Sequence, residues 1–308
     1  MNRQSSLGLV LAALLAAGCA SKPSPAVNPP AAKKAPAVRE EAARFRGADV
    51  ELSGILFSPA SPALGGERRP AVVLLHGCSG LYTARGQMPV GRRAWAEHFA
   101  RRGFVALAVD SFGPRGVASV CEIEESKRPA QPWEVRSGDA YAALEFLVKR
   151  KDVDPRSVLM VGWSHGGSTV MGAIKPDAVG WRASGPHFRA AIAFYPGCFR
   201  PLKTKGYEAT MPLLILHGGD DDWTPAAPCV GLTQKLKSSR FPPAIVVYPG
   251  GHHGFDNPGN TITALPNVYN PRAPNQRGAH VGGHEPSRLK AIADLDRFVD
   301  QMLVTRLP

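Results

Sequence analysis

The sequence predicts an α/β domain, a mostly parallel sheet with helices packed on both faces. Three observations predict it. Short, unbroken apolar runs such as Ala71 to His76, Phe104 to Val109 and Leu213 to His217 have the composition of strands buried on both sides. Helical patterns fall between them, so the connections are crossovers and the sheet is parallel. One apolar run, Val158 to Val161, breaks at once into Gly162-Trp163-Ser164-His165-Gly166-Gly167, which reads as strand, very tight turn, helix.

In chain order, Asn2-Arg3-Gln4 and the apolar run Leu7 to Ala17 read as an export signal too short to span a bilayer. Ala16-Ala17-Gly18-Cys19 resembles a bacterial lipoprotein processing box, with Ala16 where leucine is usual. Residues 1–19 are therefore expected to be a signal with Cys19 as the lipidated residue. An ordinary secretory signal cleaved nearby is the alternative. Ala20 lacks the aspartate that retains such proteins in the inner membrane, which places the chain in the periplasm on the outer membrane. Residues 20–43, rich in Pro, Ala and Lys, are expected to be a disordered tether, and residues 44–308 the folded domain.

Within that domain Val50 to Phe57 reads as an edge strand, closed by Ser58-Pro59, and Ala71 to His76 as the first buried strand. Arg93 to Arg102 is a helix stopped by Gly103, and Phe104 to Val109 the next strand. Trp133 to Arg150 is a helix with Tyr141, Leu144, Phe146, Leu147 and Val148 facing the sheet. Strands follow at Ser157 to Trp163, Ala190 to Phe194 and Leu213 to His217. A helix over Gly231 to Ser238, a strand over Ala244 to Tyr248 and a closing helix over Pro286 to Leu303 complete the alternation. Asn257 to Gly283, rich in Asn, Pro and Gly, is expected to form a lid or part of the substrate rim.

The formal charge of +12 invites a nucleic-acid partner, yet the cations are scattered and form no basic helix or aromatic platform. Solvated faces account for them. Beyond Cys19, Cys78, Cys121, Cys198 and Cys229 form an even set without metal-ligand spacing, so disulfides are expected and a metal site is not. Three pairings are possible. All four residues follow strands or lie in rim loops, and Cys78–Cys121 with Cys198–Cys229 is the pairing expected here.

In such sheets the site lies at the carboxyl ends of the strands. Gly162 and Gly166 leave room for a sharp turn that exposes the Ser164 hydroxyl at a helix N-terminus. Asp220-Asp221-Asp222 follows one strand and His252-His253 follows the next, so the chain order is Ser, Asp, His. Alone, three aspartates suggest a turn or weak cation site, and two histidines a surface loop; both at strand ends, in this order, suggest a nucleophile, its orienting acid and its base. The oxyanion hole needs two backbone N–H groups, expected from His165 and from Cys78 in His76-Gly77-Cys78-Ser79-Gly80. Cys78 as a nucleophile lacks the turn.

These segments together with Asp110-Ser111-Phe112-Gly113-Pro114-Arg115-Gly116 and His253-Gly254-Phe255-Asp256 resemble the dienelactone hydrolase family, from about residue 45 onward. The resemblance implies an α/β-hydrolase fold, cleavage of a small ester or lactone, and no cofactor. It also implies Asp221 as the acid, three residues after Gly218 and four before Pro225, with Asp222 directed to the pocket or capping the next turn. Trp163 is expected beside the substrate. The family uses a cysteine nucleophile controlled by a glutamate in the oxyanion loop, whereas this chain has Ser164 and Gly77-Cys78, which implies general serine-esterase chemistry. The family also places an arginine after this strand to hold a substrate carboxylate, which implies that role for Arg115; pairing with Glu122 or Glu124 is the alternative. The expected partner is a small molecule, with no nucleic acid and no membrane contact beyond Cys19. A non-catalytic binding module on the same fold, or an acyltransferase or peptidase with the same triad, are the other readings.

Overall fold

The computed structural model describes residues 36–62 and 64–305, so Cys19, the signal and residues 20–35 of the tether lie outside the described residues. Strands β1 (Val38–Arg46), β2 (Glu51–Pro59), β3 (Arg69–Leu75), β4 (Val105–Asp110), β5 (Val153–Trp163), β6 (Ala190–Phe194), β7 (Leu213–Gly218) and β8 (Ala244–Tyr248) form one sheet. Their order is β1-β2-β4-β3-β5-β6-β7-β8. The pairings β1–β2 and β2–β4 are antiparallel and all others parallel. This is the α/β-hydrolase architecture the sequence predicts.

Helices α1 (Val90–Arg101), α2 (Val135–Val148), α3 (His165–Ala173), α4 (Phe199–Lys203), α5 (Ala227–Lys235) and α6 (Glu285–Val304) cover the sheet. The unbroken apolar runs explain the two-sided core, because alternate residues of one strand serve opposite faces. Val72 and Leu74 of β3 pack with Trp95 and Phe99 of α1 and Leu295 of α6. Val73 and Leu75 pack with Leu144 of α2 and Met171 of α3.

The ordered domain begins earlier than the sequence suggests. Residues 38–43, assigned to the tether, belong to β1, which pairs with β2 from Val38 opposite Pro59 to Arg46 opposite Glu51. The strand is hard to see because Val-Arg-Glu-Glu-Ala-Ala-Arg-Phe-Arg buries only Ala43 and Phe45 and leaves its charges in water, as edge strands do. Helix α5 starts at Ala227 rather than Gly231, with Pro228 in its first turn, where a missing N–H costs nothing. The Asn257 to Gly283 segment folds into a separate antiparallel hairpin, β9 (Ile262–Tyr269) and β10 (Arg277–Gly282).

Both expected disulfides form, Cys78–Cys121 and Cys198–Cys229, each with a Cα separation of 4.9 Å. Each contributes roughly 2–4 kcal/mol, chiefly by restricting the unfolded chain. Two disulfides mark a chain exported to an oxidising compartment. No helix among the described residues is long and apolar enough to cross a membrane.

Candidate active site

The turn after β5 holds Ser164 at φ 53°, ψ −112°, a conformation that side-chain-bearing residues rarely adopt. The flanking glycines permit it. A Cβ on Gly162 would lie 2.2 Å from the Gly166 carbonyl oxygen, and one on Gly166 only 2.0 Å from that of Leu75. Anything larger would force strand and helix apart and withdraw the hydroxyl.

Asp221 follows β7 and His253 follows β8. Their loops touch, since a Cβ on Gly218 would meet the Gly251 carbonyl at 2.2 Å. The Ser164 hydroxyl lies 2.8 Å from His253 Nε2, and His253 Nδ1 lies 2.9 Å from Asp221 Oδ2. Both partners are sealed from water, with 5 % and 0 % of their side chains exposed. The N–H groups of Trp223 and Thr224 donate to the other carboxylate oxygen of Asp221, at 2.9 and 2.8 Å. Burial pushes the Asp221 carboxyl up, but the His253 charge and hydrogen bond, helped by Thr224, hold it below its ordinary value. The rings of Tyr195 and Trp223 lie 4.6 and 4.8 Å from that of His253 and limit its rotation.

Asp256, which the sequence suggests only as the close of a loop, anchors the wall of this site. Its fully buried carboxylate accepts from Trp95 Nε1 and Trp163 Nε1, both at 2.8 Å, and from the Tyr195 hydroxyl at 2.6 Å. Burial pushes its pKa up even against these donors. Tyr195, at φ 38°, is also strained, and it joins Asp256 to the His253 ring. Arg136 is a second group that sequence reasoning misses: completely buried, it donates to His165 Nδ1 at 2.6 Å and to the His76 carbonyl at 2.9 Å. An arginine in the first turn of an apolar helix gives no sign of which way it points. Asp256 had a signal, because it closes the His253-Gly254-Phe255-Asp256 motif.

Other predicted residues fall as follows. Cys78 and His165 flank Ser164 from the loop after β3 and the start of α3, and among the described residues no acceptor pairs with either N–H. Trp163 lines the cavity over Ser164. Asp222 does not enter that cavity or cap a turn. Its carboxylate accepts from His280 N at 2.9 Å and pairs with His280 Nδ1 at 2.7 Å, tying down β10. Arg115 does not face substrate either. It pairs with Asp139 at 2.8 Å and with Asp49, and donates to the Ser111 carbonyl at 2.6 Å. Neither Glu122 nor Glu124 is its partner. The buried Asp139 carboxylate needs a cation, and among the described residues Arg115 is the one in direct contact with it.

Two hollows open on Ser164. A cavity of about 270 Å³ is walled by Trp95, Trp163, Tyr195 and Trp223, with Leu265 and Val281 from the hairpin, so the Asn257 to Gly283 segment does form the rim. The hairpin is fixed to the histidine loop by Gly282 N donating to the His253 carbonyl at 2.9 Å. A second hollow of about 210 Å³ carries Arg128, Arg200 and Arg272 against a single lining acid, Glu125.

The profile of the dienelactone hydrolase family matches residues 52–280. Among solved structures, the chain is similar to a dienelactone hydrolase-like promiscuous phosphotriesterase from metagenomic libraries, with TM-score 0.64 and 16 % identity, over 86 % of this chain and 99 % of that one. It is also similar to esterase 2 of Thermogutta terrifontis phosphorylated by paraoxon, with TM-score 0.54 and 23 % identity, over 72 % and 86 % of the two chains. These likenesses share the fold found here, and the family match spans both the elbow and the histidine loop. The chain belongs to the dienelactone hydrolase family and is a hydrolase of esters.

Proposed function

We propose that the chain is an exported serine esterase that cleaves a small carboxylic ester or lactone through an acyl-enzyme on Ser164. The observation that carries this reading is the unbroken relay Ser164–His253–Asp221, at 2.8 and 2.9 Å, under a cavity sized for a small ligand. Ser164 Oγ attacks the carbonyl carbon while His253 Nε2 takes its proton. The carbonyl electron pair moves to oxygen, which the Cys78 and His165 N–H groups receive. The protonated His253, oriented by Asp221, returns the proton to the leaving alkoxide. Water then repeats the sequence on the acyl-enzyme and frees the acid. Serine in place of a cysteine supports ordinary ester chemistry, because a hydroxyl hydrogen-bonded to its histidine base needs no acid in the oxyanion loop to govern its ionisation. The similar structures of a phosphotriesterase and of an esterase phosphorylated by paraoxon favour organophosphates as probes.

The aromatic cavity and the arginine-bearing hollow suit the two halves of one ester, an apolar half and a polar or anionic half. The N-terminal export signal and Cys19 support a lipid-anchored enzyme on the periplasmic side of the outer membrane.

The test is Ser164→Ala. Turnover of a p-nitrophenyl ester is expected to fall by roughly 10⁴-fold or more with the fold intact by circular dichroism. A folded variant at near-normal turnover would refute the reading. A wild type that resists fluorophosphonate labelling would make the chain a binding module.

A further inference from the structure

Arg136, in the first turn of α2, is completely buried, yet among the described residues no carboxylate stands within 4 Å of it. The nearby Asp139 is committed to Arg115. Burial lowers the Arg136 pKa to about 9, so the group stays cationic at neutral pH. Taking such a cation out of water carries a desolvation cost that Asp139 and Asp110, acting from beyond contact distance, offset only in part. A methionine of similar volume would fill the space at less cost. What the arginine adds is a charge and a rigid fork of donors.

The fork points at two acceptors that belong together. Its Nη2 donates to the carbonyl of His76, two residues before Cys78, at 2.9 Å. Its Nη1 donates at 2.6 Å to Nδ1 of His165, the residue directly after the nucleophile. Burial, then the charge of Arg136, hold the His165 imidazole well below its ordinary pKa, and because a guanidinium can only donate, Nδ1 is the nitrogen that accepts. Nε of Arg136 and Nε2 of His165 have no partner among the described residues, so the two contacts are what the pair makes. The Phe112 ring, 5.1 Å from the guanidinium carbon, closes the pocket from the other side.

We propose that Arg136 is the positioning residue of the oxyanion hole, gripping the Cys78 loop and the elbow with one guanidinium and adding its charge beneath the oxygen that turns negative. The proposal rests on the serine-esterase reading above. Arg136 transfers no proton; the bond that forms is Ser164 Oγ to carbon, the electron pair goes to the carbonyl oxygen, and the proton goes to His253. Its effect is felt where negative charge develops, so it is a transition-state effect and leaves substrate binding alone.

The experiment compares Arg136→Met and Arg136→Lys with the wild type on one p-nitrophenyl ester, with affinity for an alkyl boronic acid measured alongside. Arg136→Met should lower kcat by about 10²-fold with KM within about threefold, the size of effect seen when one oxyanion donor is lost. Boronate affinity should fall by a similar factor, and Arg136→Lys, which keeps the charge but reaches only one acceptor, should recover about tenfold of it. A folded Arg136→Met with kcat within about twofold of wild type, or a loss carried wholly by KM, would overturn the proposal. If Arg136→Met does not fold, Arg136→Lys and His165→Leu decide, the latter keeping the N–H and removing the acceptor. Each should lower kcat at unchanged KM, and wild-type kcat in both would overturn it. The wild type is labelled with a fluorophosphonate first. Failure to label and to turn over ends the esterase reading and the proposal with it; an active, labelled wild type with indifferent Arg136 variants ends the proposal alone.

Discussion

Asp221 and Asp222 are adjacent in the chain, and each pairs with a histidine. The first pair, Asp221–His253, spans 2.9 Å and is sealed, whereas the second, Asp222–His280, spans 2.7 Å with 45 % and 54 % of the side chains exposed. Geometry alone does not separate them; solvent does. In water an ion pair is screened and worth at most about 1 kcal/mol, so the Asp222–His280 contact orders a hairpin and little else. Away from water the same contact fixes which nitrogen of an imidazole carries the proton and steadies the imidazolium. Arg115 and Arg136 repeat the contrast between buried cations, one in direct contact with Asp49 and Asp139, the other hydrogen-bonded only to neutral acceptors, with carboxylates at longer range.

The sharpest way to break the comparison is to neutralise each acid in turn. Asp221→Asn should lower kcat by about 10³–10⁴-fold, because the amide favours the wrong tautomer of His253. Asp221 also stabilises the fold through its depressed pKa. That contribution is present above the ordinary carboxyl value of 3.8 and is lost as pH falls through the lowered one. The Tm gap between wild type and Asp221→Asn should therefore be full near neutrality and close at low pH; a gap that widened in acid would contradict the assignment. A smaller effect is expected at the disulfides. Cys121→Ser and Cys198→Ser should each cost roughly 2–4 kcal/mol in denaturant unfolding. Only Cys121→Ser frees the loop that carries Cys78, and it alone should also lower kcat, by about tenfold. Equal kcat in the two variants would detach the oxyanion loop from its bridge.

Arg115→Ala leaves the buried Asp139 without its ion-pair partner and should cost about 3 kcal/mol of stability. Its effect on kcat/KM should be the same for anionic and neutral esters of equal size, and a selective loss for the anionic ester would return Arg115 to the substrate site. The smallest effect belongs to Asp222→Asn, where kcat should hold and KM should shift by no more than about threefold as the hairpin loosens. A loss comparable to that of Asp221→Asn would invert the comparison.

Much of this was legible in the sequence, for physical reasons. Strands buried on both faces must be apolar throughout, so β3 to β7 stand out, and the nucleophile turn needs glycines at fixed offsets. Because chemistry gathers at the carboxyl ends of strands, position singles out Asp221 and His253, and the fold brings both to Ser164. Residues whose meaning depends on burial were not legible. Nothing in Arg115 or Arg136 tells which meets a carboxylate and which does not, and Asp222 differs from Asp221 only in facing water. β1 was hidden because its stabilising groups are backbone amides, which every residue carries.

In the proposed mechanism Ser164 carries the acyl group. Mixing the wild type with a p-nitrophenyl ester, quenching in acid within the first turnover and mapping the digest by mass spectrometry tests it directly. The expected result is one acyl group per chain, on the peptide containing Ser164, accompanied by a stoichiometric burst of p-nitrophenol and absent from Ser164→Ala. Steady turnover with Ser164 unmodified, or the acyl group on another residue, would contradict it.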